Sequence, residues 1–320
     1  MEQSLLGPAS HGRVASPVPW RRADLAALLG LAVLWGSAFI AIRAGILAGA
    51  DPFVYADLRF VVAAAAAAAI AFAVRAPRPT RKEAIRAGVL AAVFLMGGYT
   101  LLVYWGERTT SGGLASVLVA TAPLWSGVIG YPLLPGERFA RLGWAGVATG
   151  FAGVVLLFLP DLMATRAGSL AGAAAIVSAA LLFSTGSIIL RRLGGGKEGY
   201  WSQSLQFGAS AMFLLPFAIA FAPANPFPLS YTTVGTLLYL AIGSSILGYT
   251  LYYYLHVRVG PARASFVSYV SPAVGLTLGF LLLGEPILPL EVGGFGLIVV
   301  GIALVRLDRR QEAPAPPSRL

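Results

Sequence analysis

Between Leu25 and Val305 the chain keeps returning to apolar stretches of the length a helix needs to cross a bilayer, roughly 20 residues. Hydrocarbon offers no water to a backbone N–H or C=O, so stretches of this kind must close their hydrogen bonds within themselves. The pattern predicts ten crossings, at 25–46, 53–74, 84–106, 112–134, 141–159, 170–191, 200–222, 232–255, 262–283 and 289–306. Composition agrees: 58% of residues are hydrophobic and 11% charged, against roughly 25% charged in soluble domains. The expectation is an all-α, multi-pass membrane protein. Residues 1–24 lack a short apolar core with a cleavage site, so the first helix itself is expected to direct insertion. Residues 307–320 read as a disordered tail, proline-rich from Gln311 onward.

A net charge of +10 would suggest nucleic acid in a soluble protein. Here its placement carries a different meaning. With the N-terminus inside, 19 of the 23 lysines and arginines fall in inside segments, and only Arg108 and Arg166 fall in outside loops. Arg43 and Arg59 lie within crossings. The positive-inside rule then puts both termini in the cytoplasm. The charge is a topology signal, and no nucleic-acid partner is expected.

The chain also repeats itself. "GYTLLVYW" at Gly98–Trp105 returns as "GYTLYYYL" at Gly248–Leu255. "WGSAFIAIR" at Trp35–Arg43 aligns with "FSTGSIILR" at Phe183–Arg191, and "LRF" at Leu58–Phe60 with "LQF" at Leu205–Phe207. Pro123 aligns with Pro272, Gly136–Glu137 with Gly284–Glu285, and Gly146 and Gly153 with Gly294 and Gly301, all at offsets of 147 to 150. Each copy holds five crossings, an odd number, so the second must enter the membrane upside down. The predicted units are a first repeat over 25–159, an external linker over 160–169 and an inverted second repeat over 170–306. Inverted repeats characterise secondary transporters, whose sites lie near the midplane between the copies.

Several chemistries lack their residues. There is no cysteine, which excludes disulfides, thiolate catalysis and cysteine metal sites. The two histidines, His11 and His256, lie in a polar tail and near a helix end, so no metal centre is expected. No GxxxxGK[ST] pattern occurs, so ATP does not drive the protein directly. No cofactor is expected, nor an enzyme activity.

The chain resembles the EamA-type transporters of the drug/metabolite transporter superfamily. The likeness covers nearly all of 25–306. It rests on "LWGSAF" at Leu34–Phe39, on Arg59 in "LRF", and on a proline, "GE" and spaced glycines in each half, at Ala120–Leu157 and Ser268–Leu304. The resemblance implies ten helices around a central cavity lined by crossings 3, 4, 8 and 9, assisted by 1 and 6. It implies a transporter of small molecules in a lipid bilayer, with the bacterial exporters of amino acids, aromatic ones included, as the suspected branch. A multidrug or other metabolite transporter of the same fold is the alternative, and a non-transporting sensor or scaffold the remote one. In a bacterium a helical bundle belongs in the inner membrane.

Pro123 and Pro272 occupy equivalent sites, and each disturbs the carbonyl four residues back, Val119 or Ser268. They read as gating hinges facing a watered cavity or as simple kinks. Ala122, Ser126 and Gly130 make a small-residue face, as do Ser271, Gly275 and Gly279. These faces are expected to pack inside the molecule, against each other, with a homodimer face as the alternative, so a monomer is favoured. Trp35, Tyr99, Trp125, Phe183, Tyr249 and Tyr269 lie deep and are candidates for the cavity wall. Ser37, Thr121, Ser184 and Ser268 offer hydroxyls, though bonding within their own helix competes. Tyr104, Trp105, Tyr252, Tyr253 and Tyr254 read as interfacial aromatics. Arg59 is expected to snorkel, to pair with Asp57 or Glu107, or to hold a substrate carboxylate, the structural roles being preferred. Arg43 is expected to snorkel. Glu137 and Glu285 read as helix-end anchors. No acidic residue lies near a midpoint, so nothing in the sequence supports proton exchange through a buried carboxylate.

Overall fold

The computed structural model describes residues 21–133, 141–163, 167–192, 199–259 and 266–311. The expectations for residues 1–20, for the Gly136–Glu137 anchor and for 312–320 lie outside the described residues. Helices run in the order α1 (Arg22–Leu47), α2 (Pro52–Ala73), α3 (Arg81–Leu90), α4 (Gly97–Gly106), α5 (Gly112–Val119), α6 (Ala122–Leu133), α7 (Arg141–Met163), α8 (Ala167–Arg192), α9 (Tyr200–Phe221), α10 (Tyr231–Leu238), α11 (Gly248–Val259), α12 (Val267–Leu283) and α13 (Pro289–Gln311). Wide π-helical turns at Ala91–Leu95 and Tyr239–Leu247 join α3 to α4 and α10 to α11. Among the described residues eight segments are long and apolar enough to cross a membrane, and two more apolar helices, Val267–Leu283 and Pro289–Val305, are shorter. The all-helical, membrane-spanning reading holds at that level. α13 continues to Gln311, beyond the expected boundary at 306.

The ends of the helices follow their sequences. Asp51 starts α2 by accepting the N–H groups of Phe53 (3.0 Å) and Val54 (3.1 Å), and Pro52 occupies the first turn, where its missing N–H costs nothing. Gly284 ends α12 in the left-handed region (φ 65°), a conformation that favours glycine.

The second π turn directly precedes the repeated "GYTL", and the first ends two residues before it. The wide turn brings the carbonyl oxygens of Ala92 and Val93 against the positions that side chains would occupy at Gly97 and Gly98. Glycine is what allows the turn there. In the second copy Gly248 fits beneath the Trp35 indole, whose Nε1 would lie 2.7 Å from a Cβ.

Equivalent helices of the two copies meet crosswise. α2 packs on α9 and α7 on α13; α1 packs on α12 and α11, as α8 packs on α6 and α4. The α2–α9 and α7–α13 pairs run antiparallel, whereas α1 and α12 run parallel, Gly36 meeting Ser271 and Ile40 meeting Gly279. Along α2 and α9, Phe53 meets Phe221 (5.3 Å between ring centres), Phe60 stacks on Phe207 (5.8 Å), and Ser204 donates to the Ala64 carbonyl (2.9 Å). Along α7 and α13, Gly146 faces Gly301 and Gly153 faces Gly294. These are the glycines the repeat places in equivalent positions, now paired in reverse order, as an inverted duplication requires.

Small residues set the closest approaches, though not where the two small faces predict. A Cβ on Gly36 would lie 2.5 Å from the Ser271 carbonyl, and one on Gly275 would overlap Ser116 Oγ. The Ser271–Gly275–Gly279 face therefore packs on α1 and α5. Ala122, on the other face, receives a hydrogen bond from Ser184 of α8 (2.7 Å). The contacts at Ala122 and at the Ser271–Gly275–Gly279 face are each made with the first helix of the opposite repeat. A Cβ on Gly301 would lie 2.5 Å from the Gly146 carbonyl and 2.6 Å from the Gly150 nitrogen, backbone atoms that cannot rotate away. Gly301→Val should cost about 1–3 kcal/mol through overpacking, read as a lower melting temperature of the purified protein in detergent, whereas Gly296→Ala, whose Cβ would meet nothing within 4 Å, should melt as the wild type.

Candidate functional site

A cavity lies where the two copies face each other. Its wall takes Trp35, Phe39 and Ile42 from α1, Arg59 from α2, Tyr99, Thr100 and Tyr104 from α4, Ser116 and Val119 from α5, Ala122 from α6, Phe183 from α8, Ser244 from the second π turn, Tyr249 from α11, and Val267, Ser268, Ser271 and Pro272 from α12. The aromatic side chains pair across the copies. Trp35 meets Tyr249 (5.6 Å, edge to face) and Phe183 meets Tyr99 (5.8 Å). Trp35 aligns with Phe183 in the repeat and Tyr99 with Tyr249, so one contact is made twice. Edge-to-face and tilted pairs at these separations are favourable beyond their buried area. The Trp35 indole N–H donates to the Ser244 carbonyl (3.3 Å), which the wide turn leaves available.

Of the residues singled out in the sequence, Trp35, Tyr99, Phe183, Tyr249 and Ser268 stand in the wall. Of the other residues expected in the wall, Ser37, Thr121, Trp125, Ser184 and Tyr269 are not part of it, whereas Arg59, Ala122, Ser271 and Pro272, singled out for other roles, are. Trp125 packs edge-on against Phe151 of α7 (4.7 Å). Tyr269 packs on Phe266 (6.1 Å). Ser37 bonds to the Val33 carbonyl and to Tyr239 OH. Thr121 donates to the Leu118 carbonyl (2.7 Å), and Ser184 to the Ala180 and Ala122 carbonyls (2.8 and 2.7 Å). The two prolines differ. Pro123 follows the break at Ala120–Thr121 between α5 and α6, while Pro272 sits within the unbroken α12 and lines the cavity. Val119 and Ser268, four residues before the two prolines, both reach the wall.

Ser271, read from sequence as a packing residue, lines the cavity with a buried hydroxyl that has no hydrogen-bond partner. Tyr104, read as interfacial, is fully buried. The sequence offered no signal for either, because an apolar membrane helix has no polar face to set its phase.

Arg59 is 8% exposed and does not snorkel. Its Nε donates to Ser245 Oγ (3.1 Å), Nη1 to Tyr104 OH (3.4 Å) and Nη2 to Ser244 Oγ (3.4 Å). Among the described residues no carboxylate lies within 4.0 Å of it, the ion pair found being Arg258 with Asp24 (3.4 Å). Asp57 is buried nearby in the sequence with one oxygen unpartnered, and it does not reach Arg59. Neither expected ion pair of Arg59 forms. Arg43 is half-buried and donates to the backbone carbonyls of Glu107 and Arg108 in the turn after α4.

The end of the bundle above Arg59 is closed. Tyr55 and Tyr104 are fully buried there, 5.4 Å apart, with Tyr55 OH donating to Thr236 (2.7 Å). Glu285, in the turn after α12, accepts the N–H groups of Gly112 (2.9 Å) and Gly113 (3.0 Å) at the start of α5. That carboxylate straps the second copy to the first and complements the positive end of a helix, in keeping with the anchoring role the sequence assigns it. Glu107, at the end of α4, is fully buried and neither of its carboxyl oxygens has a partner. A buried carboxyl group is thus present after all, at the end of a crossing and away from every midpoint.

The profile of the EamA-like transporter family matches residues 22–159 and again residues 170–307. The chain is 29% identical over 285 residues to an uncharacterized inner membrane transporter of Escherichia coli K12, YedA, covering 88% of this chain and 90% of that one. It is 32% identical over 305 residues to a probable terminal-alkyne amino-acid exporter of Streptantibioticus cattleyicolor, covering 92% and 97%. A solved structure described only as the crystal structure of a protein superposes with a TM-score of 0.61 at 21% identity, over 91% of this chain and all of that one, and shares the fold.

The strap at Glu285 has a measurable weight. Glu285→Ala leaves two buried N–H groups without an acceptor, each worth about 1–3 kcal/mol when unmet. The variant should melt at a lower temperature, and a cysteine placed at exposed Ile287 should show a broader range of distances to the start of α5 by spin-label spectroscopy.

Proposed function

This chain belongs to the EamA-like transporter family, a family of membrane transporters and not enzymes, and from that premise we propose that it moves small amphipathic carboxylates, amino acids with apolar or aromatic side chains among them, by alternating access between its two copies. The distribution of lysine and arginine supports a cytoplasmic location for both termini, so the closed end above Arg59 faces outward. The relatives' names support the inner membrane of a bacterium and the export direction.

One observation carries the substrate class. Arg59 stands in the cavity wall, buried, with three neutral hydrogen-bond acceptors and no carboxylate within 4.0 Å among the described residues. A buried cation is costly unless a counter-charge meets it. A substrate carboxylate supplies that charge through hydrogen bonds stronger than neutral ones. The pairs Trp35–Tyr249 and Tyr99–Phe183 then offer an apolar body its surroundings, and Ser268 and Ser271 offer hydroxyls to an ammonium or other polar group. Pro272 beside them is the proposed hinge of α12.

The same aromatic wall favours a second reading. Aromatic faces attract organic cations, as a multidrug transporter would require. Arg59 opposes it by charge. Proteoliposomes separate the two: load radiolabelled phenylalanine, its carboxamide, or an aromatic quaternary amine, and follow release. Phenylalanine should leave at least tenfold faster than the carboxamide, and Arg59→Gln should remove most of that difference, about 1.5–3 kcal/mol of charged hydrogen bonding. Equal release of all three by the wild type would sink the carboxylate reading, and release of the quaternary amine alone would establish the cationic one.

A further inference from the structure

The transport reading leaves Glu107 without a task. It stands one residue beyond α4, at the closed end of the bundle, with no exposed surface. Neither carboxyl oxygen has a hydrogen-bond partner, and the hydroxyl of Thr110, also buried, is unpartnered too. Buried polar groups are almost always bonded, so an exception at a moving part asks for a reason.

The groups around it come from four elements. From α1, Arg43 gives its hydrogen bonds to the backbone carbonyls of Glu107 and Arg108 and not to the carboxyl group. From α2, Arg59 is occupied by Ser244, Ser245 and Tyr104, and Tyr55 by Thr236 and the Ala41 carbonyl. From the turn after α12, Glu285 adds a second negative charge, spent on the start of α5. Tyr99 and Tyr104 stand below on α4 itself. The two arginines favour the charged form of Glu107, while burial and Glu285 oppose it. Burial is the largest influence and holds the carboxyl well above the usual carboxylate range.

We propose that Glu107 is a proton-binding site of the outward gate, carrying a proton while the gate is closed and releasing it to the outside water when the gate opens. The proposal rests on the alternating-access reading, since it needs a second state in which water reaches Glu107. The proton comes from the compartment the gate faces and returns to it, so each opening releases one proton and each closing takes one up. The sign follows. The closed state holds the proton more tightly than the open one, so closure is favoured fully below the ordinary pKa of about 4.3. That advantage is lost as pH rises through the higher value of the closed state.

The chain has no cysteine, which makes paired labels clean. Spin labels at Thr109→Cys and Ile287→Cys, both exposed on either side of the gate, report its opening in nanodiscs. Between about pH 5 and about pH 9 the wild type should pass from one short distance to a growing long component. Glu107→Gln, neutral at every pH, should keep the short distance throughout. A wild type whose distances ignore pH, or a Glu107→Gln that titrates as the wild type does, would overturn the proposal. Infrared spectroscopy gives a readout that requires no gate movement: the wild type at neutral pH should show a protonated-carboxyl band that Glu107→Gln lacks, and a wild type without that band contradicts the assignment. Flux measured on the same preparations keeps the two readings apart. A pH-dependent gate without carboxylate flux would leave the gate standing and remove the substrate, and flux with a pH-blind gate would do the reverse.

Discussion

Hydrocarbon gives a backbone N–H or C=O no partner, so irregular backbone inside a membrane is tolerated only where protein or a cavity takes up the freed groups. The departures from α-helix within the crossings obey this. The wide turn at Tyr239–Leu247 leaves the Ser244 carbonyl to the Trp35 indole and turns the Ser244 and Ser245 hydroxyls toward Arg59. The break at Ala120–Thr121 is covered by Thr121 and Ser184, which bond the Leu118 and Ala122 carbonyls. The wide turn at Ala91–Leu95 is paired with two glycines that clear its carbonyls. Val119, Ala122 and Ser244 all reach the cavity wall. The cavity thus lies where the helices cannot be regular.

The duplication explains why the wide turns and the aromatic contacts come in pairs, while the break at Ala120–Thr121 has no counterpart in the unbroken α12. Antiparallel packing of α2 on α9 and of α7 on α13 sets the two copies against each other through equivalent surfaces. The aromatic contact that one copy presents at the centre the other presents again, as Trp35–Tyr249 and Phe183–Tyr99 illustrate. The closed end breaks the equivalence. Arg59 is arginine in "LRF" and its counterpart is Gln206 in "LQF", so the cavity carries a positive charge contributed by the first copy alone. An exact repeat would offer the same charge to both sides of the membrane. This one is polarised, and a polarised cavity lets a carboxylate bind closer to one gate than to the other.

Much of this was legible in the sequence, and the losses have a common cause. The recurrence of apolar stretches and the two-fold repeat follow from spacing, because the bilayer imposes length and the repeat imposes register. Trp35, Tyr99, Phe183 and Tyr249 were found because depth along a crossing can be counted. Rotation about the helix axis cannot be counted when a helix is apolar all round, and each π turn or break resets it. Trp125 therefore turns to Phe151 while Ser116, on the other side of the break, turns to the cavity. In sequence Ser271 is marked by its small size, and nothing there shows that its hydroxyl faces the cavity. Spacing offers Glu107 as a partner for Arg59; its isolation depends on Arg43 donating to backbone carbonyls, which no spacing reveals.

The central claim is that Arg59 receives the carboxylate of the substrate. Solid-state magnetic resonance of the reconstituted protein tests it without a flux assay. With arginine nitrogens labelled and phenylalanine carrying a labelled carboxyl carbon, the account predicts strong dipolar coupling between that carbon and a guanidinium, absent in Arg59→Lys under the same loading. Bound phenylalanine that couples to the aromatic wall and to no guanidinium would contradict it, and would mean that the buried charge of Arg59 serves the closed end of the bundle alone.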